Sequence, residues 1–420
     1  MTHTLPDDPS SASGPPGVPQ TSSNMPKLVG VAFAHAAVDL FSFVIIPLLT
    51  VLEGRLTLSP TEGAFLVAIG SVASGVVQPL TAYWGDRHDT RWIGVAGFVL
   101  CVVAASLVGQ AHNYWQILGL QVLASMGSGA FHPPAAAVMG HLSGRKRGLG
   151  MGVFFAAGML GGIGGNTLTP AWAKAISVES LAWWMIPGLI LAAIGGYVML
   201  SSPQRHPGAH SHHASKSAHE RRASWRGIGV LYAGNAIRFT VNSMLFLLLV
   251  RWSEHQALLE AHAKVMDKAI RANASIINGP MQAAMQIGMG IAGLSLGALI
   301  KPRHERLVLT LAPMIGALTI VAFPHVPHAA AFSLAILAGS AFAGVIPLTL
   351  SLAQRLLPHR TGLASGLMMG GAWSLAAIGP PLAQILLDQF GQGSAFAISG
   401  GMLAISGLLA LGLPRPQSLN

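Results

Sequence analysis

The sequence predicts an all-α integral membrane protein: twelve transmembrane helices in two pseudo-symmetric six-helix bundles. Three observations carry that expectation. Hydrophobic residues make up 52% of the 420 and charged residues only 9%, against roughly 25% charged in an ordinary soluble domain. The apolar residues gather into long stretches, each near the ~20 residues a helix needs to cross hydrocarbon. The longest polar break inside the core, 202–226, divides those stretches six and six.

Residues 1–26 are rich in Pro, Ser, Thr and Gly and hold no basic region leading into an apolar core. They read as a disordered cytoplasmic tail, not a cleaved signal peptide. The first bundle occupies 27–201, with spans at 28–51, 63–83, 92–109, 115–140, 148–170 and 181–201. In the fourth span Pro133 and Pro134 remove backbone donors and predict a kink beside His132. Dense glycine in the fifth, GMGVFFAAGMLGGIGG (150–165), predicts close helix packing. The segment 202–226 reads as a flexible, basic, His-rich cytoplasmic linker. Its histidines have no ligand spacing on a structured element, so no metal site is assigned. The second bundle occupies 227–413, with spans at 227–250, 279–300, 307–323, 330–353, 362–387 and 395–413, and 414–420 form a cytoplasmic tail. Between its first two spans, Leu258, Leu259, Val265, Met266, Ala269 and Ile270 recur at helical spacing. That pattern predicts an amphipathic helix on the outer face, or an extension of the seventh or eighth span.

The formal charge of +10 is distributed unevenly. With both termini in the cytoplasm, the outer connections hold Arg55, Lys174, Arg251, Lys264, Lys268 and Arg271; apart from Arg238, the remaining Lys and Arg residues lie on the cytoplasmic side. This is the bias that sets membrane topology, and it argues against a nucleic-acid partner. One cysteine, Cys101, excludes an internal disulfide framework.

Within the apolar stretches the formally charged side chains are Asp39 and Arg238. They occupy matching places when GVAFAHAAVDLF (30–41) is set over GVLYAGNAIRFT (229–240). Weak similarity between six-span halves marks repeat-built transporters, whose site lies midway through the bilayer between the repeats. Charge in hydrocarbon is costly and is kept where it faces a cavity, partner or pathway. His35 and Asp39 are four apart and share a helix face. Burial favours the neutral form of a carboxyl and a nearby cation the charged form, so a carboxyl under both influences suits proton exchange. His35, Asp39 and His132 are therefore the candidate proton-handling residues. Asn235, Arg238 and Asn242 form a polar stripe on the seventh span, where Arg238 could clamp an anionic group or bridge to Asp39. Gln282, Gln286 and Gln78 are candidates for substrate binding with Asn235, Arg238 and Asn242, and Asn166 and Gln384 are amides suited to joining helices. No HExxH, GxxxxGK[ST] or CxxC pattern is present. Neither an enzyme nor a cofactor is expected, and energy would come from a gradient.

Twelve spans split by a basic loop resemble the major facilitator superfamily. The loop AYWGDRHDTR (82–91) looks like a degraded form of its G-x-x-x-D-R-x-G-R-R signature: Asp86, Arg87 and Arg91 fit, while Ala82 and Asp89 stand at glycine positions. The matching second-half loop, KPRHER (301–306), lacks that acid–base pattern. Within the superfamily the chain is similar to the fosmidomycin resistance group. The segments carrying that likeness are AHAAVD (34–39), QPLTAYWGD (78–86), GSGAFHPPAA (127–136), SGRKRGL (143–149) and the stretch 340–367. The resemblance implies a monomeric exporter in a bacterial inner membrane, exchanging protons for a small amphipathic or anionic compound such as fosmidomycin.

Overall fold

The computed structural model describes residues 25–85, 87–144, 147–202, 218–343, 345–357, 364 and 366–413. The expected terminal tails, 1–24 and 414–420, and most of the His-rich linker, 203–217, lie outside the described residues. Helices build all of the regular structure described.

The first span is two helices, α1 (Met25–Ser42) and α2 (Ile45–Leu56). The Ser42 hydroxyl donates to Val38 O at 3.0 Å, the kind of back-bonding that bends a helix, and the break follows directly. A reciprocal box starts α3 (Pro60–Gly85): Glu62 accepts from the Ser59 N–H and hydroxyl at 2.8 Å, and Ser59 Oγ accepts from Glu62 N–H. Next come α4 (Arg91–Ser106) and α5 (Tyr114–Leu142), the latter capped by Asn113 accepting from Gln116 N–H at 3.0 Å. The helix α5 continues through Pro133 and Pro134. Then α6 (Arg147–Ala175) and α7 (Met185–Leu200) complete the first group.

The second group opens with α8 (Ala218–Glu260), 43 residues long. Residues 218–226, expected in a flexible linker, are helical. Every position from Val241 to Val250 is buried, so this helix is apolar all round because neighbours surround it. After a short turn Asp267 caps α9 (Lys268–Leu299), accepting from Ile270 N–H at 2.8 Å. The expected outer segment is thus a continuation of both flanking helices. There follow α10 (Glu305–Ala322), α11 (His328–Ala343), α12 (Ile346–Leu356), a π turn at Leu367–Gly371, α13 (Ala372–Ala376) and α14 (Gly379–Leu409). The last is interrupted at Gly391, whose φ of 76° requires glycine.

Among the described residues, nine helical segments are long and apolar enough to cross a membrane, not twelve. Neither α5 nor α9 is among them, and one segment runs unbroken from Leu367 to Gly412. The reason is chemical: His132 with two prolines in α5, and Gln282 with Gln286 in α9, lower the hydropathy of helices that otherwise have spanning length. Large apolar side chains point outward along the bundle, such as Ile186, Tyr197, Leu299 and Leu318, a surface suited to lipid.

α1 packs on α5, α6 and α7, and α4 on α5 and α7; α8 packs on α9 and α14, and α10 on α11 and α14. The two groups meet along a seam where α6 and α2 face α9, and α3 faces α13 and α14. Glycines let the backbones close there: a Cβ at Gly279 would stand 3.0 Å from Pro170, and one at Gly75 would stand 2.8 Å from Ser374 N.

Candidate functional site

His35 and Asp39 share one face of α1, and α5 brings His132 to the same point. Asp39 Oδ2 lies 3.4 Å from His35 Nε2, and Oδ1 lies 3.3 Å from His132 Nε2. Backbone carbonyls orient both rings. His35 Nδ1 meets Phe154 O of α6 at 2.7 Å, and His132 Nδ1 meets Ser128 O at 2.6 Å. A carbonyl only accepts, so each Nδ1 carries the hydrogen and each neutral Nε2 presents a lone pair. Three acceptors then converge with no donor among them. The arrangement is satisfied only when at least one proton sits between Asp39 and a histidine.

Packing holds the cluster tightly. The His35 ring stacks on Phe154 with centroids 3.8 Å apart, and a Cβ at Gly158 of α6 would come 2.6 Å from Asp39 Oδ2. The His35 and Asp39 side chains are 6% and 9% exposed, whereas His132 is 26% exposed. His132 is therefore the least buried member of the group. The three donor atoms also lie within 4.8 Å of one another, a span one divalent cation would fit.

Arg238 lies elsewhere. The expected bridge between Asp39 and Arg238 is absent: Asp39 pairs with the two histidines, and Arg238 forms no ion pair among the described residues. Its guanidinium donates to Asn235 Oδ1 at 3.3 Å, while Nε has no partner. It borders a cavity of about 10 Å³ with Gly234, Leu309 and Ser406, between α8, α10 and α14. Asn235 in turn donates to Met368 O. The repeat places Asp39 and Arg238 at equivalent positions in each group, and here each faces neighbours within its own group.

The amides divide in the same way. Gln286 of α9 crosses the seam, accepting from Asn166 Nδ2 of α6 at 3.2 Å. Gln282 donates to Phe246 O at 2.9 Å and to Asn278 Oδ1 at 3.1 Å. Asn242 is buried with neither side-chain atom bonded. Gln78, half-buried on α3, donates to Ser74 Oγ at 2.9 Å.

Sequence reasoning missed a buried charge cluster at one end of the seam. Arg251 of α8 donates to Glu53 of α2 at 2.6 and 2.8 Å, to Glu254 at 3.0 Å, and to Gln384 Oε1 at 3.1 Å. Thr50 donates to Glu254, Arg271 to Thr50 O at 3.2 Å, and Asn278 to Ile46 O at 3.3 Å. Asp39 and Arg238 are thus not the sole buried charges. The apolar stretches end before Glu53 and Arg251, but the helices do not.

In the loop motif, Asp86 lies outside the described residues. Arg87 sits 5.0 Å from the Tyr83 ring centre. Arg91 pairs with Asp89 at 2.8 Å and donates to Leu200 O and Ser202 O, joining the starts and ends of α4 and α7. In the second half, buried Glu305 of the matching loop accepts from Arg355, which comes from α12 and not from the loop itself.

Comparison with known proteins agrees with this architecture. The family model described as Major Facilitator Superfamily matches residues 31–378. The fosmidomycin resistance protein of Escherichia coli (strain K12) is 22% identical over 393 residues, 92% of each chain. The uncharacterized MFS-type transporter YfnC of Bacillus subtilis (strain 168) is 23% identical over 401 residues, 94% of each. Among solved structures, a bacterial homolog to the human lysosomal transporter Spinster, inward-facing and unoccupied, aligns with a TM-score of 0.64 at 15% identity, covering 93% of this chain and 96% of that one. The human organic anion transporter MFSD10 gives the same score and identity, covering 93% and 100%. A seam between two helical groups, a buried acid–histidine cluster beside it, and a family match over most of the length lead to one conclusion: the chain is a multi-pass membrane transporter belonging to the Major Facilitator Superfamily.

Proposed function

We propose that this transporter is a proton antiporter of a bacterial inner membrane, exporting a small drug-like or anionic compound by alternating access. The observation that carries the reading is the convergence of three acceptors at Asp39, His35 and His132. Such a site is built to gain and lose a proton, and His132 is its least buried member. The resistance function in the name of the Escherichia coli relative supports export. The excess of Lys and Arg at the Arg91 end supports placing that end, and both termini, in the cytoplasm.

Coupling runs through α6. Gly158 faces Asp39 and His35, while Gly162, one turn along, faces Gln286 of the opposite group. A proton arriving between Asp39 and His132 removes a buried negative charge and changes the contact that α6 makes on one side. One turn along nearly the same face, the same helix forms the seam. Proton and substrate thereby bias one two-state packing, each by its differential affinity for the two states.

The test is transport in proteoliposomes under an imposed pH gradient. Asp39→Asn retains the shape of the cluster but removes the group that binds the proton. It is expected to abolish pH-driven flux while leaving counterflow of substrate intact. Undiminished pH-driven flux in this variant would remove the cluster from the coupling role.

A further inference from the structure

We infer that the compound carried across the seam is uncharged and amphipathic, with an aromatic or otherwise flat apolar body and a polar end bearing both hydrogen-bond donors and acceptors. This narrows the proposed function and rests on it for the location of the site. Two independent observations define the class.

The first is a group of buried side-chain atoms with no hydrogen-bond partner: Asn166 Oδ1, Thr169 Oγ1, both Asn242 side-chain atoms, Gln282 Oε1 and Gln286 Nε2. Each residue is no more than 1% exposed. Native interiors satisfy most buried polar groups, and an unpaired one costs free energy. A local concentration of them on facing helices marks a surface that completes its bonds with something else. Their placement is concerted. Gln282 donates to Phe246 O between the antiparallel α8 and α9. Asn242 lies one turn from Phe246, and Gln286 one turn from Gln282 in the same direction, so these two amides stand at one level. Asn166 of α6 reaches that level through its bond to Gln286. The set offers acceptors and amide donors together, and all of them are neutral.

The second observation is the wall one turn further along. Phe239 of α8 packs edge-on to Trp373 at 5.1 Å and to Phe342 at 5.7 Å. Met289 of α9 joins the same cluster, with Phe155 and Met159 of α6 packed against it. Rings with polarizable thioethers make an adaptable apolar surface for a flat molecule. No residue of either set carries a formal charge. Arg238, one turn of α8 from Asn242, borders a cavity toward α10 and α14, and the Asp39 cluster meets α6 at Gly158, one turn from the Gly162 that faces Gln286. A phosphonate or a lipophilic cation seated among the neutral side chains themselves would lose hydration with no opposite charge in direct contact.

The experiment measures thermal unfolding of the purified full-length protein against three probes: chloramphenicol, a neutral nitroaromatic with an amide and two hydroxyls; fosmidomycin, an anionic phosphonate; and tetraphenylphosphonium, a lipophilic cation. Chloramphenicol is expected to raise the melting temperature saturably and at lower concentration than the other two. Asn242→Leu and Gln286→Met are each expected to weaken its apparent affinity by about tenfold, the loss of one buried hydrogen bond, whereas Arg238→Met leaves it unchanged. Preferential stabilisation by either charged probe overturns the inference, and that outcome is read on the unaltered protein whether or not the variants fold. Stabilisation by fosmidomycin lost only in Arg238→Met would overturn it in favour of an anion site. If chloramphenicol binds through Asn242 and Gln286 but no pH gradient drives its movement in proteoliposomes, the ligand class stands and the antiport reading falls.

Discussion

Asp39 illustrates what a single residue does when its neighbours are fixed by hydrogen bonds it does not make. Because Phe154 O and Ser128 O hold both imidazoles by their Nδ1 atoms, the rings cannot turn to offer Asp39 a different nitrogen. The carboxyl must therefore be matched by protons delivered from outside the group. His132, the least buried member, is expected to set the rate of that delivery. His132→Gln should slow pH-driven flux by about tenfold, the scale of one lost charge-assisted hydrogen bond, while His35→Gln mainly lowers stability through its lost stacking on Phe154. Stopped-flow pH-jump measurements in proteoliposomes separate the two effects. All three residues were visible in the sequence, His35 and Asp39 by their spacing and His132 by its place before two prolines. Their meeting was not visible, since nothing in one chain says which faces of the first and fourth spans touch. Arg238 misled for the complementary reason: internal similarity reports equivalent positions, and two equivalent positions need not be neighbours.

At the scale of elements, the spans were legible because hydrophobic runs dominate them, and their ends were not. Apolar windows stop near residue 250, yet α8 continues to Glu260 and carries Arg251 and Glu254 with it. Helices continue past the last apolar residue whenever polar side chains find partners, and Glu53 supplies one here. The role of α6 rests on residues that are small. Introducing a methyl at Gly158 would drive it to 2.5 Å from His35 Cε1. Gly158→Ala is thus expected to destabilise by roughly 1–3 kcal/mol and to reduce transport, read as a lower melting temperature and a lower pH-driven rate. A second glycine acts through the backbone alone. At Gly391 φ is 76° and ψ 174°, and nothing lies within 4 Å of a Cβ, so Gly391→Ala should cost about 1–3 kcal/mol of conformational strain without any contact clash.

Across the whole molecule, two kinds of contact close the seam. Small residues close it along most of its length, and polar bonds close it at the Arg251 end. There Arg251 pairs with two carboxylates from opposite groups, Glu53 and Glu254, and offsets part of their mutual repulsion. Removing one partner of a buried ion cluster leaves uncompensated charge, which is far costlier than losing the attraction itself. Arg251→Met is expected to part the groups at this end as Glu53 and Glu254 repel. With Ser275→Cys as a reporter, labelling by a membrane-impermeant maleimide should rise several-fold over the parent. An unchanged labelling rate would mean that the remaining bond from Asn278 to Ile46 O and the packing beside it suffice to keep it shut.

The length of α8 has one more consequence. Forty-three residues in a single helix extend about 65 Å at the usual rise per residue, roughly twice the thickness of hydrocarbon. Such a rod stands clear of the lipid at its ends and behaves as a lever. A tilt of about ten degrees about its middle would swing each tip by about 5 Å, by the same helix dimensions. The first two turns of α8, from Ala218, are in effect a handle on that lever, so a binder gripping residues 218–225 is expected to brake the transport cycle without touching the site.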